Sequence, residues 1–251
     1  MDRLKLSDSE WQRLLTKLRA LPGIRIGLPM RCQRFVEAVL WILRTGAQWR
    51  ALPLRYGHWN SVFKRFSRWS RQGVWGHILN EFAQEADLQN VCIDSTVARA
   101  HACAAGAGKD SAEQEALGRS RGGFSCKIHA LTDSLGLPVK FILTGGQAAD
   151  ISQALPLLKG VKADALLADK GYDADELLAW AHANQMEAVI PAKANRKVAR
   201  ECNWWLYKER HVVECMFGKL KHYRRIFSRF EKTMRNFMGM LTFAATLLWL
   251  R

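Results

Sequence analysis

Residues 124–130 alternate apolar and polar side chains without a break, and this stretch limits the fold more than any other in the chain. Side chains on a strand point to opposite faces in turn. Phe124, Cys126, Ile128 and Ala130 therefore line one face, and Ser125, Lys127 and His129 the other, with His129 expected at a solvated surface. The turn residues Asp133, Ser134, Leu135 and Gly136 lead into a second apolar run at 137–143, which predicts an antiparallel hairpin. Upstream, residues 91–93 form a short apolar strand that ends at Asp94. Downstream, a helix at 151–158, a strand at 165–168, a helix at 174–184 and a strand at 188–190 follow one another. Antiparallel strands followed by strand-helix repeats indicate an α/β fold, a mixed sheet flanked by helices.

The first third of the chain reads differently. Helical spacing of apolar residues covers 7–21, 33–44 and 59–71, with Ser7 or Asp8 as an N-cap before Glu10. A connecting helix spans about 76–86. Residues 1–80 hold 15 Lys and Arg against 4 Asp and Glu, in a chain of 251 residues with formal net charge +15. Three short helices carrying that charge suggest a small all-α, helix-turn-helix-like domain that binds a polyanion. Lys64, Arg65 and Arg68 on the third helix are its expected phosphate contacts, while Trp49, Trp59, Trp69 and Trp75 are expected to pack the interior. The division expected is a basic helical DNA-binding domain at 1–86 and a catalytic domain at 87–251. A second basic block, 193–235, holds 13 basic residues against 4 acidic ones. Within the second domain, 99–123 is rich in Ala and Gly, carries Arg119 and Arg121, and is expected to be a mobile loop.

The six cysteines include no CxxC pair and no zinc spacing with nearby histidines, so reduced thiols in a cytoplasmic protein are expected. The longest apolar stretch, 237–250, is interrupted by Gly239 and Thr242 and is shorter than a membrane span, so it is expected to be a buried terminal helix.

Three carboxylates carry the chemistry. Tyr207, Arg210, Glu214 and Lys221 stand three, four and seven residues apart within 203–223, which reads as one helix. At about 100° per residue they share one narrow stripe. Trp205, Leu206, Val212, Val213, Met216, Phe217 and Leu220 form a core-facing arc beside it. Asp94 and Asp169 each follow a short apolar strand, where a side chain reaches the carboxyl edge of a sheet and α/β ligand crevices form. Hard oxygen ligands without His or Cys favour Mg²⁺ or Mn²⁺ over zinc. Two such ions about 4 Å apart can activate an attacking oxygen and neutralise the leaving one.

These residues resemble the DDE transposases of bacterial insertion sequences, specifically the insertion-sequence-five group of the four/five superfamily. The resemblance rests on the Tyr207, Arg210, Glu214, Lys221 stripe, on Ala168-Asp169-Lys170-Gly171-Tyr172-Asp173, and on Ile93-Asp94-Ser95-Thr96. Leu117-Gly118-Arg119-Ser120-Arg121-Gly122-Gly123-Phe124, Lys127-Ile128-His129 and Leu143-Thr144-Gly145-Gly146-Gln147 extend it over nearly the whole chain. It implies an RNase H-like catalytic domain with Asp94 on the first strand, Asp169 just past the fourth, and Glu214 on a late helix, the three together holding two Mg²⁺ or Mn²⁺ ions. It also implies a nucleoid-associated enzyme that binds the terminal inverted repeats of its element in double-stranded DNA. Such an enzyme cleaves the end phosphodiester and joins the freed 3'-hydroxyl to target DNA, as a dimer or higher assembly that brings two ends together. By position, Arg210 and Lys221 would hold DNA phosphates and Tyr207 would orient a terminal strand. Only 45 positions separate Asp169 from Glu214, too few for an inserted domain, so second-strand cleavage through a hairpin is not expected.

Asp173 and Asp175 are expected to cap the next helix, Asp133 belongs to a turn, and His101 and His211 lack a partner that would make either a general base. A noncatalytic DNA-binding protein and an RNase H-like nuclease that cuts without joining are the competing readings.

Overall fold

The computed structural model describes residues 4–104, 115–120, 122–196 and 200–251. Arg121 lies outside them, as do residues 105–114 of the glycine-rich stretch expected to be a loop. The chain divides into two compact units, neither continuous in sequence. The first comprises 1–84, 99–115 and 220–251, and the second 85–98 and 116–219.

In the first unit, helix α1 (Asp8–Ala20) starts where Ser7 accepts from the Glu10 amide and Glu10 accepts from the Ser7 amide, a reciprocal capping box. Helix α2 (Pro29–Thr45) begins four residues earlier than the apolar spacing indicates, because Pro29 occupies its first turn, where proline's missing N–H costs no bond. Gly46 ends it in a left-handed conformation, φ 70°, returning its N–H to Ile42 O. Helices α3 (Trp59–Arg71) and α4 (Val74–Ala83) follow. The terminal apolar run forms helix α10 (Met234–Trp249), which packs on α3 and α4. No helix of the described residues is long and apolar enough to cross a membrane. The seam is aromatic. Trp75 lies 4.9 Å from Phe243, 5.2 Å from Trp69 and 5.9 Å from Phe66 between ring centroids. Burying each such ring is worth about 1.5–3 kcal/mol. Short helix α9 (Arg224–Phe227) and strand β7 (Ser228–Arg229) complete the unit, where Arg225 and Glu231 form a buried ion pair at 2.9 Å.

The second unit is built on a sheet with spatial order β2-β3-β1-β5-β6. Its strands are β1 (Asn90–Ala100), β2 (Gly118–Ser120), β3 (Gly123–Thr132), β4 (Pro138–Gly145), β5 (Ala165–Leu167) and β6 (Glu187–Val189). The predicted hairpin is present, with β3 and β4 antiparallel from Cys126 opposite Gly145 onward. Strands β1, β5 and β6 are parallel, with Cys92 opposite Leu167 and Leu167 opposite Val189. Helices α5 (Ala154–Leu158) and α6 (Asp175–Ala183) supply buried Leu157, Leu158, Leu177 and Ala181 to the sheet's core. An antiparallel hairpin on one flank, parallel strands on the other and helices over the face make this the mixed, RNase H-like layer that the chain's motifs implied.

Several expectations change. Strand β1 runs eleven residues, so Asp94 lies inside the strand and does not end it. Its polar second half, with Ser95 and Thr96, carries no apolar periodicity to reveal it. Because β2 forms within the stretch expected to be a loop, Asp169 follows the fifth strand rather than the fourth. Residues 203–223 are not one helix: α7 (Trp204–Tyr207) and α8 (His211–Lys221) are joined by a tighter 3₁₀ turn at Lys208–Arg210. That change of pitch turns Trp205 outward, 76% exposed, while Val213, Met216, Phe217 and Leu220 remain buried as expected.

Candidate active site

Register brings the first two carboxylates together. Asp94 and Asp169 each stand two residues beyond the paired residues Cys92 and Leu167 on adjacent parallel strands, Asp94 within β1 and Asp169 just past the carboxyl end of β5. The Asp94 carboxylate accepts from the Ser95 amide at 2.7 Å and from Arg210 Nη1 at 3.1 Å. Burial pushes its pKa above the ordinary carboxylate value and the neighbouring Asp169 adds to this, while the Ser95 amide and Arg210 pull it back. Asp169 caps the turn Lys170–Tyr172, its Oδ1 accepting from the Gly171 amide at 2.8 Å. A side chain at Gly171 would put its Cβ 2.8 Å from that oxygen, so only glycine lets the carboxylate fold back onto the turn.

Glu214 reaches the pair through a cation. Arg210 bonds Asp94 with one nitrogen and Glu214 with the other, and its guanidinium lies 5.9 Å from the Tyr207 ring centroid. Glu214 is 58% exposed at its side chain, against 21% for Asp94. Among the described residues no three His, Cys, Asp or Glu side chains stand gathered as cation ligands. Lys221 closes α8 seven residues after Glu214, on the same helical face.

A polar network that the sequence reading missed flanks Asp94. Ser95 Oγ donates to Asp150 Oδ1 at 2.6 Å, and Lys127 Nζ meets the same oxygen at 2.8 Å while also donating to Ala148 O at 2.6 Å. Burial works to raise the Asp150 pKa, but the bonds from Lys127 and Ser95 hold it below the usual value. The polar face of β3 could have signalled this, since Lys127 and His129 point the same way. His129 is fully buried rather than solvated, with Nε2 2.8 Å from Thr144 Oγ1.

Asp173 does not cap α6, whose N-cap is Ala174. Its buried carboxylate accepts from the Lys193 amide at 2.8 Å, Arg196 Nε at 2.7 Å and Arg200 Nη2 at 2.9 Å. Asp175 sits in the first turn of α6, as expected for a residue that favours a helix start, and pairs with Arg196. Asp133 closes its turn, accepting from the amides of Leu135 and Leu137.

The basic residues singled out in the first unit separate. Lys64 and Arg68 are exposed. Arg65 is not: it lies under the Phe35 and Trp69 rings, 4.4 and 4.9 Å from their centroids, and donates to Ile26 O and Cys32 Sγ. On β2, Arg119 is exposed and stacks over Phe124.

Residues 85–250 match the family model "Transposase DDE domain", and residues 6–79 match "Putative transposase of IS4/5 family". The chain belongs to the DDE transposases of the IS4/IS5 group. The "Putative transposase for insertion sequence element IS6501" of Brucella ovis is 44% identical to this transposase over half of its length and 98% of the relative's. The "Putative transposase for insertion sequence element IS402" of Burkholderia cepacia is 34% identical over 42% of this chain and 54% of its own. A pre-cleavage Mos1 transpososome aligns with 88% of this chain and 97% of that one at a TM-score of 0.27 and 10% identity, a likeness at which neither fold nor function transfers.

Proposed function

We propose that this transposase binds the terminal inverted repeats of its insertion sequence, hydrolyses the phosphodiester at each end and joins the freed 3'-hydroxyl to target DNA. The observation that carries the reading is the register of β1 and β5, which sets Asp94 and Asp169 at matching positions on neighbouring parallel strands, with Arg210 linking Asp94 to Glu214.

The donor set fits a hard divalent cation. Asp94, Asp169 and Glu214 offer only oxygen, and the upward push that Asp169 exerts on Asp94 is the repulsion a cation would relieve. These three carboxylates would hold Mg²⁺ or Mn²⁺, two ions per site. When bound, the ions supply Lewis acidity to the attacking and leaving oxygens of an in-line displacement. The remaining tasks fall to the chain. Arg210 offers a guanidinium fork suited to a phosphate, Lys221 a second cation on the same helix face, and Tyr207 a ring against which a terminal nucleotide can rest. Arg119 and Arg121 contact DNA from the glycine-rich region, and Lys64 and Arg68 from α3 of the N-terminal domain. Arg65 is assigned to that domain's interior instead, because its guanidinium packs on the Phe35 and Trp69 rings and its Nη2 donates to Ile26 O and Cys32 Sγ. The domain at 1–86 supplies end recognition, and a dimer or larger assembly pairs two ends.

A strand-transfer assay tests this, with labelled element ends, Mg²⁺, and wild type beside Asp94→Ala, Asp169→Ala and Glu214→Ala. Each substitution is expected to abolish cleavage while leaving end binding within a few-fold of wild type. Undiminished cleavage by any one variant removes that residue from the site, and cleavage without joining turns the reading toward a nuclease.

A further inference from the structure

Asp173 is a buried carboxylate that accepts three hydrogen bonds, two of them from arginines, and the reaction as set out above has no task for it. It stands four residues after Asp169, at the end of the turn that Asp169 caps. Its amide donates to Lys170 O at 3.2 Å, and the Tyr172 amide to Asp169 O at 3.0 Å, so the turn from Asp169 to Asp173 is bonded internally along its length. The Asp173 side chain is fully enclosed. It meets two guanidinium groups and one backbone amide, while the Asp173 carbonyl accepts from Lys193 Nζ at 3.0 Å. All of these partners lie in the connection that leaves β6 and delivers the chain to α7. Arg200 also donates to Ile190 O at 3.0 Å, which ties the same connection back to the residue just past β6.

We propose that Asp173 is a positioning residue for end cleavage: by binding Lys193, Arg196 and Arg200 it locks the Asp169 turn to the connection that places Tyr207, Arg210 and Glu214. This rests on the active-site reading given above. One carboxylate thereby couples the second aspartate of the site to the element bearing the glutamate, two parts separated by 45 positions in sequence. The clamp also fixes which cations meet DNA. Arg196 and Arg200 lie in the second basic block, yet their charge is spent on Asp173, with Arg196 bonding Asp175 as well. The clamp thus withholds Arg196 and Arg200 from phosphate contacts near the site. A charged pair with this many hydrogen bonds holds its geometry tightly, because removing one partner strands the other charge.

The test uses the full chain, comparing wild type with Asp173→Asn, Asp173→Glu, Arg196→Gln, the Asp173→Asn/Arg196→Gln double variant and Asp169→Asn. Thermal unfolding, half-saturating DNA concentration and single-turnover cleavage rate at saturating DNA are measured for each. Asp173→Asn is expected to slow cleavage by about 10–100-fold, the range typical of groups that orient ligands from behind, with half-saturating DNA within about two-fold of wild type. The double variant should be no slower than Asp173→Asn, since both substitutions open one clamp, and Asp173→Glu should recover part of the rate. A cleavage rate in Asp173→Asn within two-fold of wild type overturns the proposal, as does a double variant whose losses multiply. Tighter DNA binding with unchanged cleavage also overturns it, showing that the aspartate merely masks two arginines. If Asp173→Asn does not fold, Arg196→Gln decides alone, and a wild-type rate there is fatal. A wild-type rate in Asp169→Asn overturns the active-site reading and this proposal with it, whereas loss in Asp169→Asn beside an unimpaired Asp173→Asn overturns the proposal only.

Discussion

Replacing His129 by glutamine should flatten the acid side of this protein's stability profile. The imidazole is fully buried on β3, and Thr144 donates its hydroxyl to Gly145 O at 3.3 Å, leaving Oγ1 to accept from Nε2. Nδ1 is enclosed with no hydrogen-bond partner, so a proton placed there has nowhere to donate. Burial accordingly lowers the pKa from 6.5 to about 4, with Lys127 pushing the same way and Asp150 opposing. The sign follows from linkage. Below pH 6.5 the unfolded chain takes up a proton that the folded chain refuses, so stability is undiminished above 6.5 and is lost as pH falls toward 4. At about 1.4 kcal/mol per pH unit the full penalty would approach roughly 3.4 kcal/mol. Effective dielectric screening, which persists even at buried sites, lowers this to about 2 kcal/mol. Glutamine retains a donor for Thr144 and does not titrate. Urea unfolding followed by circular dichroism at pH 7.5, 6.0 and 4.5 should show wild type losing about 1.5 kcal/mol more than His129→Gln across that range. Losses equal within about 0.5 kcal/mol would refute the argument that the imidazole is buried neutral.

Gly136 turns between β3 and β4 at φ 75°, and a Cβ there would meet Val212 Cβ at 2.9 Å and Val212 O at 3.0 Å. Gly136→Ala should therefore cost about 2–3 kcal/mol in denaturant unfolding, from left-handed strain plus overpacking against α8; a shift under about 0.5 kcal/mol would contradict the contact. In end-binding titrations across salt concentrations, Lys64→Ala and Arg68→Ala should each lower the slope of affinity against salt by about one, while Arg65→Ala should leave the slope unchanged and lower the melting temperature instead. The reverse pattern would put Arg65 on DNA. Ser7→Ala removes the α1 cap and should destabilise the first unit by about 1 kcal/mol, read as an earlier urea midpoint.

The elements with strong local period were legible in the sequence. The hairpin, the parallel strands at 165–167 and 187–189, helix α3 and the terminal helix all stand where alternation or helical spacing put them. The pairing of β1 with β5 puts Asp94 and Asp169 on neighbouring strands, but Asp94 lies within its strand and does not end it as the short apolar run suggested. Features decided by tertiary partners were hidden. The polar half of β1 forms because neighbouring strands take up its backbone groups, including the pairing of Arg99 with Ser228, and no apolar pattern marks it. The break between α7 and α8 lies within helix-forming residues, so nothing local betrays it. His129 and Arg65 show the same limit for side chains. A histidine alternating with apolar neighbours and an arginine on a basic helix each look solvated, until Thr144 in one case and Phe35, Trp69 and Cys32 in the other supply the partners. Asp173 looked like a cap because its partners come twenty residues and more downstream.

The packing of α10 on α3 and α4 bears on the order in which a ribosome makes the chain. About 150 residues separate the end of α4 from the start of α10. At roughly 5–20 residues per second, translation takes about 8–30 s to cross that interval. During that time Trp75 waits without Phe243, and the basic N-terminal helices are held by their own contacts alone. A message broken or a ribosome stalled before residue 234 would release a basic fragment with an unsealed aromatic seam, a substrate for chaperones and proteases.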